Sequence, residues 1–398
     1  MRRATADRRA APCARSSWAR EAVLPPLSLY LHYPWCIAKC PYCDFNSHEK
    51  KANVKKANVD TATYLHQLIA DIRESKALAG GRPLASVYFG GGTPSLMSGR
   101  EVTEVLAAVE ETHGLPDEIT LESNPGTFER DKFEAFRTAG ITRLSIGVQS
   151  FQDDKLRSLG RVHGRDEALR AVSSAAEVFD RVNVDLMYGL PAQTVEDALF
   201  DIEQASSLGV GHVSWYQLTI EPRTVFHRRP PLLPVESEAL AMEDAGLERL
   251  EAAGYRRYEI SAFAKDDQAC RHNLNYWQFG DYLGIGAGAH GKLTGVNSTV
   301  RTSFARQPRR FSREVPDRFS EVPINEESLP VEFMMNALRL IDGVDEELFE
   351  ARTGIPLIRI QQTLDELRAA GLVRSDRLGL TAKGLKLLDS VVGEFLER

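Results

Sequence analysis

The chain has 398 residues, 43% of them hydrophobic, and a formal net charge of −7. That length can bury a sizeable core and form two domains, while the acidic balance argues against a general nucleic-acid binder. No apolar run approaches the roughly 18 residues of a membrane span, and five cysteines, three of them in one motif, fit a reducing compartment, read as the cytoplasm, better than a secreted disulfide scaffold.

Residues 1–26 carry six arginines against Asp7 and Glu21. An Arg-rich, acid-poor leader is the pattern of a mitochondrial transit peptide. The Ala, Ser and Pro between the charges also fit a disordered extension, which is the reading adopted, or a start upstream of the true Met. From Leu27 short β-branched or aromatic runs alternate with amphipathic patterns. Strands are predicted at 28–33, 85–89, 118–122, 142–148, 181–187 and 212–219. Helices are predicted at about 60–78, 98–112, 129–138, 165–179 and 195–208, the second opened by a Ser98–Glu101 capping box. Such alternation makes a parallel sheet with right-handed crossovers, either doubly wound or a partial barrel, whose ligands sit at the C-terminal strand ends.

The first strand runs into His32-Tyr33-Pro34-Trp35-Cys36-Ile37-Ala38-Lys39-Cys40-Pro41-Tyr42-Cys43. Three thiolates at C-x3-C-x2-C spacing can hold three irons of a cubane and leave the fourth open. A structural zinc would need a fourth ligand, and neither His32 nor His48 has a usual zinc spacing. Gly90-Gly91-Gly92-Thr93-Pro94 follows the second strand. Its glycines allow close backbone approach and could aim N–H groups at a ligand. Glu122, Gln149 and Asp185 end the third, fourth and fifth strands and surround one mouth. Each alone could be a helix cap or a turn residue.

After a helix at 236–253 comes Cys270-Arg271-His272-Asn273-Leu274-Asn275-Tyr276-Trp277. A His beside aromatics offers an imidazole and flat surface to a macrocycle, although such a His is more often a packed core residue. The glycines of 281–291 suggest tight backbone passage. Residues 298–325 read as an Arg- and Pro-rich connector. From 326, helices at 328–341, 345–353 and 357–370, a hairpin at 372–380 and a last helix from 381 suggest a winged helix. With nine Lys+Arg against fourteen Asp+Glu, this region should repel phosphates and reads as a lid or packing domain over the barrel mouth.

The cysteine spacing, with Tyr42 just before the last cysteine, resembles the radical SAM superfamily. Leu29-Tyr30-Leu31-His32 and Pro34-Trp35-Cys36 resemble, within it, the oxygen-independent coproporphyrinogen III oxidase group and its haem chaperones, from about Leu27 to the C-terminus. The resemblance implies a partial (β/α)6 barrel over 27–260, a haem-motif segment over 261–325 and a C-terminal helical, winged-helix-like domain over 326–398. It also implies a 4Fe–4S cluster on Cys36, Cys40 and Cys43, and bound S-adenosylmethionine. Tyr30 and Tyr42 would flank that cofactor, and Gly91, Gly92 and Thr93 would meet its amine. Gln149 and Asp185 would bond the ribose, with Glu122 in the same shell. Arg161 would hold the carboxylate, a fork-shaped match; without the resemblance it reads as a surface charge. His272-Asn273-Leu274-Asn275-Tyr276-Trp277 matches the pattern associated with haem attachment.

The function implied is a haem chaperone that binds haem and passes it to acceptor proteins, respiratory membrane-associated ones among them, as a monomer or homodimer. The alternative is coproporphyrinogen III dehydrogenase, a radical oxidative decarboxylation in porphyrin biosynthesis. The resembling dehydrogenases carry a fourth cysteine two residues after the third, where this chain has Phe45, and a substrate-binding N-terminal segment that residues 1–26 do not resemble.

Overall fold

A computed structural model describes residues 24–50, 61–127, 130–295, 298–313, 315 and 317–396; nearly all of the extension read at 1–26 lies outside them. Strict alternation gives strand β1 (Leu27–Tyr33) two unlike faces. Leu27, Leu29, Leu31 and Tyr33 join Tyr64, Leu65 and Leu68 of helix α1 (Thr61–Glu74) in one apolar cluster. On the other face Ser28 bonds Ser86 at 2.8 Å, and Tyr30 bonds His32 at 2.8 Å. The same division runs through β2 (Leu84–Gly91), β3 (Ile119–Ser123), β4 (Arg143–Gln149), β5 (Val182–Tyr188) and β6 (His212–Gln217).

These six strands pair in parallel in chain order. They are joined by α1, α2 (Gly99–His113), α3 (Arg130–Ala139), α4 (Arg165–Val178) and α5 (Val195–Ser207). The capping box at Ser98 forms as expected: Ser98 accepts from the Glu101 N–H, and Glu101 accepts from the Ser98 N–H. Helix side chains such as Phe133 and Phe136 are fully buried beneath the sheet's apolar face; truncating either to Ala would cost about 3–5 kcal/mol.

The sheet extends beyond the six units on both sides. After α6 (Glu236–Ala252), a hairpin of β7 (Arg256–Glu259) and β8 (Ala262–Ala264) adds antiparallel to β6. Helix α7 (Arg271–Trp277) leads to β9 (Asp281–Ile285), which lies parallel to β1. Then β10 (His290–Thr294), β11 (Thr299–Phe304) and β12 (Phe319–Pro323) continue antiparallel, giving twelve strands in the order β12-β11-β10-β9-β1-β2-β3-β4-β5-β6-β8-β7. Among the described residues β1 and β6 do not pair, so the sheet is an open, partial barrel. The tight backbone passage expected at 281–291 is present, since a Cβ on Gly284 would lie 1.8 Å from the His290 carbonyl oxygen, and it carries β9 and the start of β10. The connector expected at 298–325 is corrected, because it holds two strands; its Thr-Val-Arg-Thr-Ser-Phe run has strand alternation hidden among Arg and Pro.

The C-terminal region has its own apolar cluster, including Phe333, Phe349, Leu364 and Leu378. It is built from α8 (Leu329–Ala337), α9 (Glu347–Thr353) and α10 (Gln361–Ala369), with a minimal wing whose bridges are Val373–Leu380 and Val344–Leu378. Phe333 meets Phe279 edge-on at 5.7 Å, Arg352 donates to the Gln278 carbonyl at 3.2 Å, and Arg339 pairs with Glu259 at 3.0 Å. Gln278 and Phe279 lie just ahead of β9. The region therefore braces the sheet near where β9 starts, and does not cap the cluster loop as a lid over the mouth would.

Candidate cluster and cofactor site

The chain leaves β1 through Pro34 into a two-residue strand, Trp35–Cys36, which pairs with His48–Glu49 and closes the cysteine loop on itself. Inside the loop the Cys43 N–H donates to the Cys40 carbonyl at 3.1 Å, and Lys39 Nζ donates to the Phe45 carbonyl at 2.8 Å. All three thiols are free. Each sulfur has a hydrogen-bonding neighbour from another part of the chain or loop: Thr93 Oγ1 donates to Cys36 Sγ at 3.5 Å, Arg161 Nη1 to Cys40 Sγ at 3.5 Å, and Ser47 Oγ lies 3.7 Å from Cys43 Sγ. Burial pushes the Cys36 and Cys43 thiols above their ordinary range, so without a metal they are neutral; a bound metal deprotonates such groups outright.

Among the described residues no three Cys, His, Asp or Glu side chains converge on a point that would hold a single metal ion. A cubane asks for less convergence, because each thiolate takes its own iron. Three free sulfurs on one loop, each with a donor beside it, suit an iron–sulfur cluster, whose properties depend on hydrogen bonds to sulfur.

Beside the loop, β2 ends in the glycine run. Gly91 sits at φ +110°, and a Cβ there would lie 2.5 Å from the His32 ring; one on Gly92 would lie 2.6 Å from the Trp35 carbonyl oxygen. The glycines are thus needed for the cluster loop to pack on β2. Their N–H groups are already spent: Gly91 donates to Glu122 Oε2 at 3.2 Å, Gly92 to the Tyr33 carbonyl at 2.7 Å and Thr93 to the Trp35 carbonyl at 2.8 Å. The expectation that these donors face a ligand is corrected; what approaches this run meets carbonyl oxygens and carboxylate, which suits an amine.

Glu122 ends β3 under this run and also accepts from the Tyr88 hydroxyl at 2.5 Å. Burial, with the charge of Asp185 nearby, pushes its carboxyl up to about 7. Asp185 is likewise raised by burial; it accepts from Asn183 Nδ2 at 2.7 Å and Ser145 Oγ at 3.3 Å. Gln149 stands at φ +72° where a bulge breaks the β4–β5 register, and its Oε1 accepts from the Tyr216 hydroxyl at 2.8 Å. Tyr30 stacks on Tyr88 with centroids 6.1 Å apart, and Tyr42 packs against Phe226 at 6.4 Å.

Arg161 is not a surface charge. Its Nη2 donates to Asn124 Oδ1 and to the Gly147 carbonyl, both at 2.5 Å, and its Nη1 reaches Cys40. A small cavity of about 30 Å³ opens between Arg161, Cys40, Thr93 and Asn124. The cluster loop, glycine run, Glu122, Gln149, Arg161 and Asp185 therefore meet at one mouth.

His272 does not join them. It is buried on α7 at the other end of the inner face, under Tyr88 with centroids 4.5 Å apart. Its backbone N–H and its Nδ1 both meet Glu118 Oε1, at 3.0 and 2.9 Å. Burial alone would raise the Glu118 carboxyl, but the His272 bond and the charge of Arg143 outweigh it and hold it at about 2. An ionised carboxylate only accepts, so Nδ1 carries the proton. In this arrangement His272 is packed and hydrogen-bonded through its Nδ1 and its backbone N–H. Sequence reading missed Tyr88, Asn124, Tyr216 and Glu118; Tyr88, Tyr216 and Glu118 lie at period 2 from polar neighbours on the inner face, the signal that could have found them.

The open barrel, the three-thiol loop at its first strand and the polar mouth define a radical SAM protein. The sequence pattern of the Radical SAM superfamily matches residues 30–205, and that of the HemN C-terminal domain residues 324–387. The "Heme chaperone HemW" of Escherichia coli (strain K12) is 45% identical, covering 94% of this chain and 99% of its own. That of Bacillus subtilis (strain 168) is 34% identical over 93% and 99%. The mitochondrial radical S-adenosyl methionine domain-containing protein 1 of Bos taurus is 36% identical over 93% and 87%. With such identity over nearly its whole length, the chain belongs to the HemW haem chaperone family of the radical SAM superfamily. Coproporphyrinogen III oxidase (HemN) from Escherichia coli shares the fold at a TM-score of 0.78, with 22% identity, over 94% of this chain and 90% of that one.

Proposed function

We propose that this chain holds a 4Fe–4S cluster on Cys36, Cys40 and Cys43, binds S-adenosylmethionine at the adjoining mouth, and carries haem to acceptor proteins. The observation that carries the cofactor assignment is Arg161, which reaches across 121 residues to within 3.5 Å of the Cys40 sulfur. It thereby would set a carboxylate receptor beside the cysteine loop that would hold the cluster. Glu122 and the carbonyls of Gly91 and Gly92 receive the amine, Gln149 and Asp185 the ribose hydroxyls, and Tyr30 and Tyr42 close the sides. A bound cluster and S-adenosylmethionine supply one-electron chemistry; the protein orients and shields them.

No helix among the described residues is long and apolar enough to cross a membrane. We take the acceptors to include membrane-associated respiratory proteins, met from the cytoplasm. Phe45, in place of a fourth cysteine, argues against the coproporphyrinogen III dehydrogenase reading. The test is anaerobic reconstitution followed by iron, sulfide and haem titration, with coproporphyrinogen III as a control substrate. Cluster and haem binding without decarboxylation supports the chaperone; decarboxylation with reductant and cofactor refutes it.

A further inference from the structure

Thr93 closes the glycine run, and it is buried at 2% exposure. Its backbone N–H bond to the Trp35 carbonyl ties it to the start of the cysteine loop. Pro94 then opens a tight helical turn, Pro94–Leu96, so Thr93 is held from both sides. One strand over, Asn124 directly follows β3, and its Nδ2 donates to Thr93 Oγ1 at 2.9 Å. Its Oδ1 accepts from Arg161 Nη2 at 2.5 Å. Gly147 leaves room for this amide, since a Cβ there would stand 3.0 Å from Asn124 Oδ1.

These contacts run in one direction. A guanidinium only donates, so the Asn124 atom that faces Arg161 is the carbonyl oxygen and the atom that faces Thr93 is the amide nitrogen. The Thr93 oxygen therefore accepts from Asn124, and its own proton points elsewhere. The acceptor it meets is Cys36 Sγ, at 3.5 Å. A thiol could share that contact either way round. A metal-bound thiolate has no proton to give, and then only the hydroxyl can donate.

We propose that Asn124 and Thr93 form a directed hydrogen-bond relay, from Arg161 through Asn124 and Thr93 to Cys36, that sets the reduction potential of the cluster. The proposal rests on the cluster reading above and adds residues that act on the cluster without ligating it. Thr93 touches the ligand sulfur; Asn124 acts through Thr93 and is a positioning residue. Reduction puts one more electron on the cluster and more negative charge on its sulfurs, which a donor stabilises. Loss of the donor favours the oxidised form and moves the potential down. Cys36 is the sulfur where this counts most. It is buried, whereas Cys40 and Cys43 are partly exposed, and a low local dielectric strengthens a hydrogen bond to a charged group. Because Arg161 also reaches Cys40, two of the three ligand sulfurs answer to one guanidinium, one of them directly and the other through the relay.

The test is an anaerobic redox titration of the reconstituted full chain with dithionite, without S-adenosylmethionine, read by the paramagnetic signal of the reduced cluster. At the potential where half of the wild-type clusters are reduced, Thr93→Val should lower the reduced-to-oxidised ratio roughly tenfold, the effect of one ordinary hydrogen bond, or about 59 mV for a one-electron couple. Thr93→Ser keeps the hydroxyl and should keep the wild-type midpoint. Asn124→Ala should shift the midpoint in the same direction by less, because the hydroxyl remains but is no longer aimed. A merely structural role would lower the melting temperature of these variants and leave the midpoint in place. If Thr93→Val loads a cluster with the wild-type midpoint, the relay is refuted. If it loads none, Asn124→Ala decides, and a wild-type midpoint there refutes the relay equally. If wild type itself holds no 4Fe–4S cluster, the cofactor reading above falls and takes the relay with it.

Discussion

His272→Gln tests the base of the inner face. The substitution removes a side-chain hydrogen bond to an ionised, buried carboxylate and leaves Glu118 with the residue 272 backbone N–H at 3.0 Å, Arg143 at 3.3 Å and Arg181 at 3.8 Å. A bond of that kind is worth about 1.5–3 kcal/mol. The electrostatics give a consistent ceiling. Glu118 is held at about 2 against an ordinary 4.5, and at 1.36 kcal/mol per unit this is roughly 3 kcal/mol shared among all its partners. The folded-state value is depressed, so this stability is fully present above about 4.5 and is lost as pH falls through about 2. Urea unfolding of the two proteins at pH 7 should therefore separate their midpoints with unchanged slope. The gap should narrow in a series taken down to pH 3. Equal midpoints at pH 7, or a gap that widens toward acid, would refute the assigned role of the His272–Glu118 bond.

Three further outcomes are expected. Cys36→Ser, Cys40→Ser or Cys43→Ser should each remove most iron and the brown charge-transfer absorption while far-ultraviolet dichroism stays unchanged; zinc without sulfide in reconstituted wild type would defeat the assignment. Arg161→Ala should weaken S-adenosylmethionine by roughly 1.5–3 kcal/mol in calorimetry, and Arg161→Lys should recover only part of it, because a lysine has no second nitrogen to reach Cys40 while the first holds the Asn124 and Gly147 oxygens; unchanged affinity would return Arg161 to a structural role. Glu122→Gln should stabilise the cofactor-free protein at pH 8 by up to about 3 kcal/mol and not at all below pH 4. The carboxyl is raised to about 7 by burial, so its contribution is favourable below its ordinary 4.5 and is lost as pH rises through 7. Thermal unfolding across pH reads this, and a pH-independent difference would contradict it.

The six parallel units were legible because each strand has a two-residue period and each helix an amphipathic one, and because parallel sheets admit few topologies. The cluster cysteines were legible because their spacing is local. Arg161 was not legible from charge and position alone: nothing local distinguishes a buried guanidinium from a solvated one, and what buries it is Cys40, Asn124 and Gly147 from three other segments. β9 was missed for a related reason. Gly284 interrupts its pattern, and its partner β1 lies some 250 positions earlier in the chain. His272 carries a partner that no local motif could show, since Glu118 lies 154 positions earlier in the chain.

The pairing of β1 with β9 also sets an order of assembly. β1 can zip to β2 as soon as residue 91 emerges, but Leu27–Leu31 must wait for Asp281–Ile285 before their second edge is covered. At about 5–20 residues per second of synthesis, that interval is roughly 10–50 s. Through it the strand that carries Cys36, Cys40 and Cys43 has one unpaired edge, an opening for misassembly as well as for cluster loading. When β9 docks, the Asp281 N–H reaches the Pro26 carbonyl at 2.9 Å, Asn275 bonds Ser28 at 2.9 Å, and Asn46, three residues past the last cysteine, ties to the Ala287 carbonyl at 2.8 Å. The cysteine loop is therefore among the first segments made and among the last to be locked.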